Sequence, residues 1–186
     1  QALGAGTDIT ANADITSTSG NVSVLAARSV VFSGTADIRT SSTASTSGSI
    51  DVLAGSGSIT QSATSVMLST GATATARLMA ATDVTVGDIE LTLGKVSITA
   101  TAGSITDADA LVSGDNDADQ DITASALRLN AGTGIGASVN HLETTVGTLS
   151  AAAGNGSIYV LEADALSVDD VGLSVNRVGT DGTTLT

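Results

Sequence analysis

Val96-Ser97-Ile98-Thr99-Ala100-Thr101-Ala102-Gly103-Ser104-Ile105 decides how this chain is read. The stretch alternates apolar and polar side chains, reaches an alanine, passes through a small-residue turn with a glycine, and restarts on isoleucine. Ile50-Asp51-Val52-Leu53-Ala54-Gly55-Ser56-Gly57-Ser58-Ile59 follows the same template. Four looser copies run from Val22 to Val30, Ala76 to Val84, Leu127 to Ile135 and Leu149 to Ile158. Their starts at 22, 50, 76, 96, 127 and 149 are 28, 26, 20, 31 and 22 residues apart. Self-similarity at this spacing marks stacked supersecondary units.

The period of two identifies strands with one buried face. Outside the template, Ile9 to Ile15 and Ile89 to Leu93 alternate in the same way. Further strands are expected at Val139 to Leu142, Leu166 to Val171 and Leu173 to Val178, and Ser41 to Ser49 reads as a loop or exposed edge. No stretch holds a 3.6-residue apolar period with caps, so almost no helix is expected.

Two all-β solutions fit short repeated strands: a sandwich of hairpins, or a parallel coil in which like residues stack on like. The coil is favoured. The repeats have the length of a coil with two or three strands, and each template position keeps its side-chain type. The chain has no Trp, one Phe and one Tyr, which suits a narrow interior of Ala, Val, Ile and Leu. The expected fold is all-β: a right-handed parallel β-helix (β-solenoid) with irregular rungs of about 20–31 residues and variable loops, the hand resting on the general preference of parallel crossovers. Residues 1–186 are expected to form one such segment, part of a longer array or fibre. The template alanine is assigned to a corner, and the glycine after it is expected to supply backbone angles closed to other residues.

The phrases Gly94-Lys95-Val96-Ser97-Ile98-Thr99-Ala100, Ala102-Gly103-Ser104-Ile105-Thr106, Val146 to Ala153 and Gly156 to Asp164 resemble repeats of filamentous haemagglutinin-like, β-strand-repeat giant bacterial surface exoproteins. The resemblance covers most of residues 20–178. It implies a secreted or cell-surface location, a role as rod or adhesive fibre, and no catalytic residues.

Composition narrows the partners. The net charge is −13 with six basic residues, which leaves no cationic stripe for nucleic acid and disfavours an anionic membrane surface. No apolar run is long enough to span a bilayer, so no membrane insertion is expected. Without cysteine there is no disulfide framework or thiolate metal site. His141 is the single histidine and belongs to no catalytic constellation. No catalytic or cofactor-binding residue is assigned, and the chain is expected not to be an enzyme.

One stretch has ligand chemistry. Asp115, Asp117, Asp119 and Asp121 alternate along an acidic run, and hard cations such as Ca²⁺ take oxygen ligands from loops of this kind. Gln120 stands where an EF-hand loop needs glycine, and Ala126 where it needs glutamate. The four aspartates are carried as a candidate calcium loop, against the alternative of a solvated acidic bulge.

Three functions follow. The first is a structural or adhesive extracellular segment, a stiff spacer continued covalently by the same array, its surface receptor unknown. The second is a filament subunit self-associating end to end, because neither terminus reads as a polar cap. The third is a carbohydrate-binding or polysaccharide-degrading β-helix, which this chain's scarcity of aromatics and cations disfavours.

Overall fold

The six template copies stand in register on one another. In the computed structural model, which describes residues 1–40, 48–109 and 119–185, Val22 pairs with Ile50, Ile50 with Ala76, Ala76 with Val96, Val96 with Leu127 and Leu127 with Leu149. All six belong to a single buried apolar cluster. The alanines at 26, 54, 80, 100, 131 and 153 form a parallel column in the same ladders.

The described residues form eighteen strands and no helix, and the strands are mostly parallel. Three ladders organise them. One contains β1 (Ile9–Ala11), β4 (Val30–Phe32), β7 (Ile59–Gln61), β10 (Val84–Val86) and β12 (Ile105–Asp107), and single bridges extend it to Ile135 and Ile158. The next contains β2 (Ile15–Ser17), β5 (Ile38–Thr40), β8 (Val66–Ser69), the first parts of β11 (Asp88–Ala100), β13 (Ile122–Ala131) and β14 (Leu142–Ala153), then β15 (Val160–Glu162). The repeat ladder contains β3 (Val22–Ala26), β6 (Ser49–Ala54), β9 (Thr75–Ala80), the second parts of β11, β13 and β14, and β16 (Ser167–Val168). From β3 onward the chain visits repeat ladder, β1 ladder and β2 ladder in rotation, and each visit lands on the previous one. The sheets wrap around the apolar cluster. Backbone groups that one turn leaves open are met by the next, while the inward aliphatic row of each turn covers its neighbour's.

The corner glycines work differently from the sequence expectation. Positive φ is confined, among the described residues, to Gly6, Gly34, Gly136 and Gly182, and none follows a template alanine. What Gly132 and Gly154 supply is space. A Cβ at Gly132 would lie 2.5 Å from the Thr101 carbonyl oxygen, and one at Gly154 would lie 2.1 Å from that of Gly132. Backbone packs on backbone at this corner, so a side chain is excluded by contact rather than by dihedral angle.

Two further expectations change. Ser49 is buried at the start of β6 rather than exposed in a loop. The runs expected as strands at 166–171 and 173–178 shrink to β16 and β17 (Arg177–Val178), and Val139 lies in a turn, with β14 starting only at Leu142. After Val168 the chain leaves the ladders and crosses the outer face of the repeat ladder, where every strand is already paired and offers no edge. Asp170 and Val171 line a cavity with Arg128 and Ser150, and further on Leu173 and Asn176 share one with Thr75 and Lys95. At the far end β17 pairs antiparallel with β18 (Thr184–Leu185). The Val178 N–H donates to Ser23 Oγ at 2.8 Å, and Gln1 Nε2 donates to the Val178 carbonyl at 2.8 Å.

This returning strap is locked by charge. Asp51, on the outer face of β6, has no exposed surface because two arginines close over it. Arg77, its register partner on β9, donates from Nε to Oδ1 at 2.9 Å. Arg177 of the strap donates from Nε to Oδ2 at 2.6 Å.

Candidate functional site

Five of the aspartates stand immediately before an isoleucine: Asp8, Asp14, Asp37, Asp88 and Asp121. Each isoleucine is the inward residue that opens a strand or its first turn-facing register, so the preceding residue sits where the chain turns into a ladder. At four of the five, Asp8, Asp14, Asp37 and Asp121, a side-chain oxygen reaches the backbone N–H of the equivalent residue one turn on. Asp14 accepts from Asp37 N–H at 3.2 Å, Asp37 from Val66 N–H at 2.7 Å, and Asp121 from Glu143 N–H at 2.7 Å. In the β1 ladder Asp8 accepts from Ser29 N–H at 3.0 Å and Asp83 from Ser104 N–H at 2.8 Å. Asn21 does the same for Ser49 N–H at 2.9 Å in the repeat ladder. These carboxylates are turn-to-turn clasps, each accepting a charge-assisted hydrogen bond from the backbone of the next turn.

Asp8 also holds Arg28, whose Nε donates to Oδ1 at 2.7 Å. Its carboxyl lies at about 2, lowered by the Arg28 hydrogen bond first and the Ser29 N–H second.

Where β13 and β14 enter the β2 ladder, beside the end of β12, the clasp column becomes a buried acidic group. Asp107, Asp121 and Glu143 can bring one oxygen each within 4.8 Å of one another, and all three are buried. Asn140 Nδ2 donates to Asp107 Oδ2 at 2.8 Å, and Asp109 N–H donates to Asp107 Oδ1 at 2.8 Å. Burial, and then the charge of Asp107, push the Asp121 carboxyl well above the ordinary carboxylate range. Next to it opens a cavity of about 310 Å³ lined by Asp88, Glu90, Asp109, Asp119 and Asp121. Asp88 is raised to about 7, by burial first and by Glu90 second.

The sequence-level calcium loop therefore divides. Asp119 and Asp121 border the cavity, while Asp115 and Asp117 lie outside the described residues. Asp121 is brought to Asp107 and Glu143, which the loop reading did not include. A signal for this was present in the sequence: the Asp-Ile dipeptide marks the clasp column, and Asp121-Ile122 is one of its members. Crowded carboxylates of this kind are neutralised by a shared proton or by a hard cation.

The two alternatives separate by pH. A carboxyl raised in the folded state keeps its proton after the unfolded chain has lost its own, so its contribution to stability falls as pH rises above about 4. Each retained proton costs at most about 1.4 kcal/mol per pH unit. Asp121→Asn imitates the protonated acid, with an oxygen for Glu143 N–H and an amide donor for Asp107. Thermal melts should show wild-type stability falling from pH 5 to 9 and the variant following a flatter curve, more stable than wild type at pH 9. Millimolar Ca²⁺ raising the wild-type melting temperature at pH 8, but not that of the variant, assigns the group to a cation instead.

His141 and Tyr159 meet edge-to-face with centroids 5.8 Å apart. No helix among the described residues is long and apolar enough to cross a membrane. Comparison of the chain with protein-family models, curated proteins and solved structures finds no match.

Proposed function

We propose that this chain is a segment of a right-handed parallel β-solenoid that works mechanically, as a stiff spacer or fibre segment of a secreted bacterial surface protein of the filamentous haemagglutinin-like kind. The observation that carries the reading is the single column formed by residues 22, 50, 76, 96, 127 and 149. Each turn presents an aliphatic row that only another turn can cover, so the natural form of such a chain is an extended stack. Stability then comes from nearest-neighbour interfaces, as in other repeat arrays. The clasp aspartates fit this role: they connect successive turns and are spent on backbone groups rather than directed at a substrate. The net charge of −13 disfavours contact with nucleic acid or anionic lipid.

Negative-stain microscopy of the native material tests the proposal. Fibres or rods of constant width, one turn of chain across, are the expected image. Compact particles without a long axis would overturn it.

A further inference from the structure

We propose that the groove beside the returning strap is a docking site for an extended acidic peptide of a partner protein, which adds as a strand to the strap's free edge. The strap is itself an extended chain laid along the stack. Val171 lies by Arg128 and Ser150, and the Val178 N–H bonds Ser23 Oγ. Ser150 and Ser23 stand five register steps apart, through Arg128, Ser97, Arg77 and Asp51. Five steps are about 24 Å, and so are the seven residues from Val171 to Val178 when fully extended. Val171 and Val175 are buried against the ladder, while Gly172 and Ser174 are exposed. The backbone N–H and C=O groups of such a strand point sideways, toward neither face. Among the described residues, no hydrogen bond uses those groups from Val171 to Val175.

A groove of about 640 Å³ runs beside this edge. Its floor is one register column, Asn21, Ser49, Thr75 and Lys95, with one side chain from each of four successive turns. The three steps between them give about 14 Å, the length of about four residues of extended chain. The floor is bonded within itself at one end: Asn21 Oδ1 accepts from Ser49 N–H at 2.9 Å, and Ser49 Oγ lies 2.9 Å from Thr75 Oγ1. Lys95 closes the other end and differs. Arg28, Arg39, Arg77 and Arg177 are ion-paired, whereas Lys95 has no such partner among the described residues. No described carboxylate lines the groove, in a chain with 19 acidic residues. The charge therefore selects an anionic occupant. The unpaired strand edge selects a peptide, whose backbone alternates donors and acceptors in the spacing the edge offers. Leu93, 61% exposed and in the same groove, gives the residue next to the acid an apolar contact. Internal turns build this groove, so it stands whether or not the chain is one piece of a fibre.

Titration of the full chain with the peptide acetyl-Val-Thr-Val-Asp-Val-amide, followed by backbone amide NMR, tests it. The peptide should shift the amide signals of residues 171–175 and slow their hydrogen exchange. Replacing its Asp by Lys, or making Lys95→Met in the protein, should weaken binding about fivefold, the effect of one exposed ion pair. Lys95→Arg should keep it, and unchanged melting temperatures show that both variants are folded. Strand addition is read from the peptide's own backbone. Alternate residues of a strand bond to a given neighbour, so N-methylation in one phase should abolish binding and in the other leave it. An absence of shifts at millimolar peptide, or an equal response to the two phases, overturns strand addition. Binding of trigalacturonate in place of the peptide, with the same dependence on Lys95, overturns the peptide as occupant in favour of an acidic sugar. Each of these outcomes leaves the stacked fold and the spacer reading in place, because neither depends on what the groove holds.

Discussion

Ile98→Ala is expected to destabilise the chain by about 2–5 kcal/mol in equilibrium urea unfolding. Ile98 has no exposed surface, and its register partners are Leu78 one turn below and Leu129 one turn above, both equally enclosed. Removing the side chain beyond Cβ leaves a void whose floor and ceiling are fixed by parallel ladders about 4.8 Å apart. Neither neighbour can descend into it without breaking its own ladder, so the loss should fall in the upper part of the range. Thr99, the next residue, points outward and is the control: Thr99→Ala should stay within about 0.5 kcal/mol of wild type. A loss below about 1 kcal/mol for Ile98→Ala would place that side chain outside a stacked core.

The combined Arg77→Ala and Arg177→Ala variant should lose about 3–5 kcal/mol, the cost of leaving a buried charge without compensation. Asp51 carries no exposed surface, and the two guanidiniums approach its separate oxygens from β9 and from the strap. Either arginine alone still neutralises the carboxylate, so the single variants should lose much less and the pair should be non-additive. Adding Asp51→Ala to the double variant should restore part of the loss, because the orphaned charge goes with it. Denaturant midpoints of the four variants decide the matter. A double variant within about 1 kcal/mol of wild type would show that the carboxylate is hydrated and the strap not seated on it.

The stacked core was readable from sequence because stacking imposes a demand at every repeat. The inward positions of neighbouring turns touch their counterparts, so size and polarity recur at 22, 50, 76, 96, 127 and 149 despite unequal intervals. The aspartate clasps were less visible. Their partner is a backbone N–H, which any residue offers, so nothing in the accepting turn advertises the contact and only the Asp-Ile repetition betrays it. The glycine corner was misread for a related reason: glycine is chosen for absence of Cβ or for positive φ, and sequence does not separate the two. Asp51 and Arg177 are 126 residues apart and obey no period. Their contact depends on where the chain goes after it leaves the ladders, which no repeat encodes. The acidic triad joins Asp107 and Asp121 of one turn to Glu143 of the next, while the sequence grouped Asp121 with its linear neighbours instead.

Register is the central claim, and a pair of introduced cysteines measures it directly in a chain that has none of its own. Thr99 and Asn130 are register partners on the outer face of adjacent turns, and Ala152 pairs with Asn130 one turn further. Adjacent parallel strands hold Cα atoms about 4.8 Å apart, within the span of a disulfide, whereas two turns separate them by roughly 10 Å, beyond it. Mild oxidation should therefore give Thr99→Cys/Asn130→Cys an intramolecular disulfide, seen as a non-reducing mobility shift, and leave Thr99→Cys/Ala152→Cys as free thiols. Ready closure of the second pair, or failure of the first in folded protein, would contradict the stacked register on which the fold and its proposed function both rest.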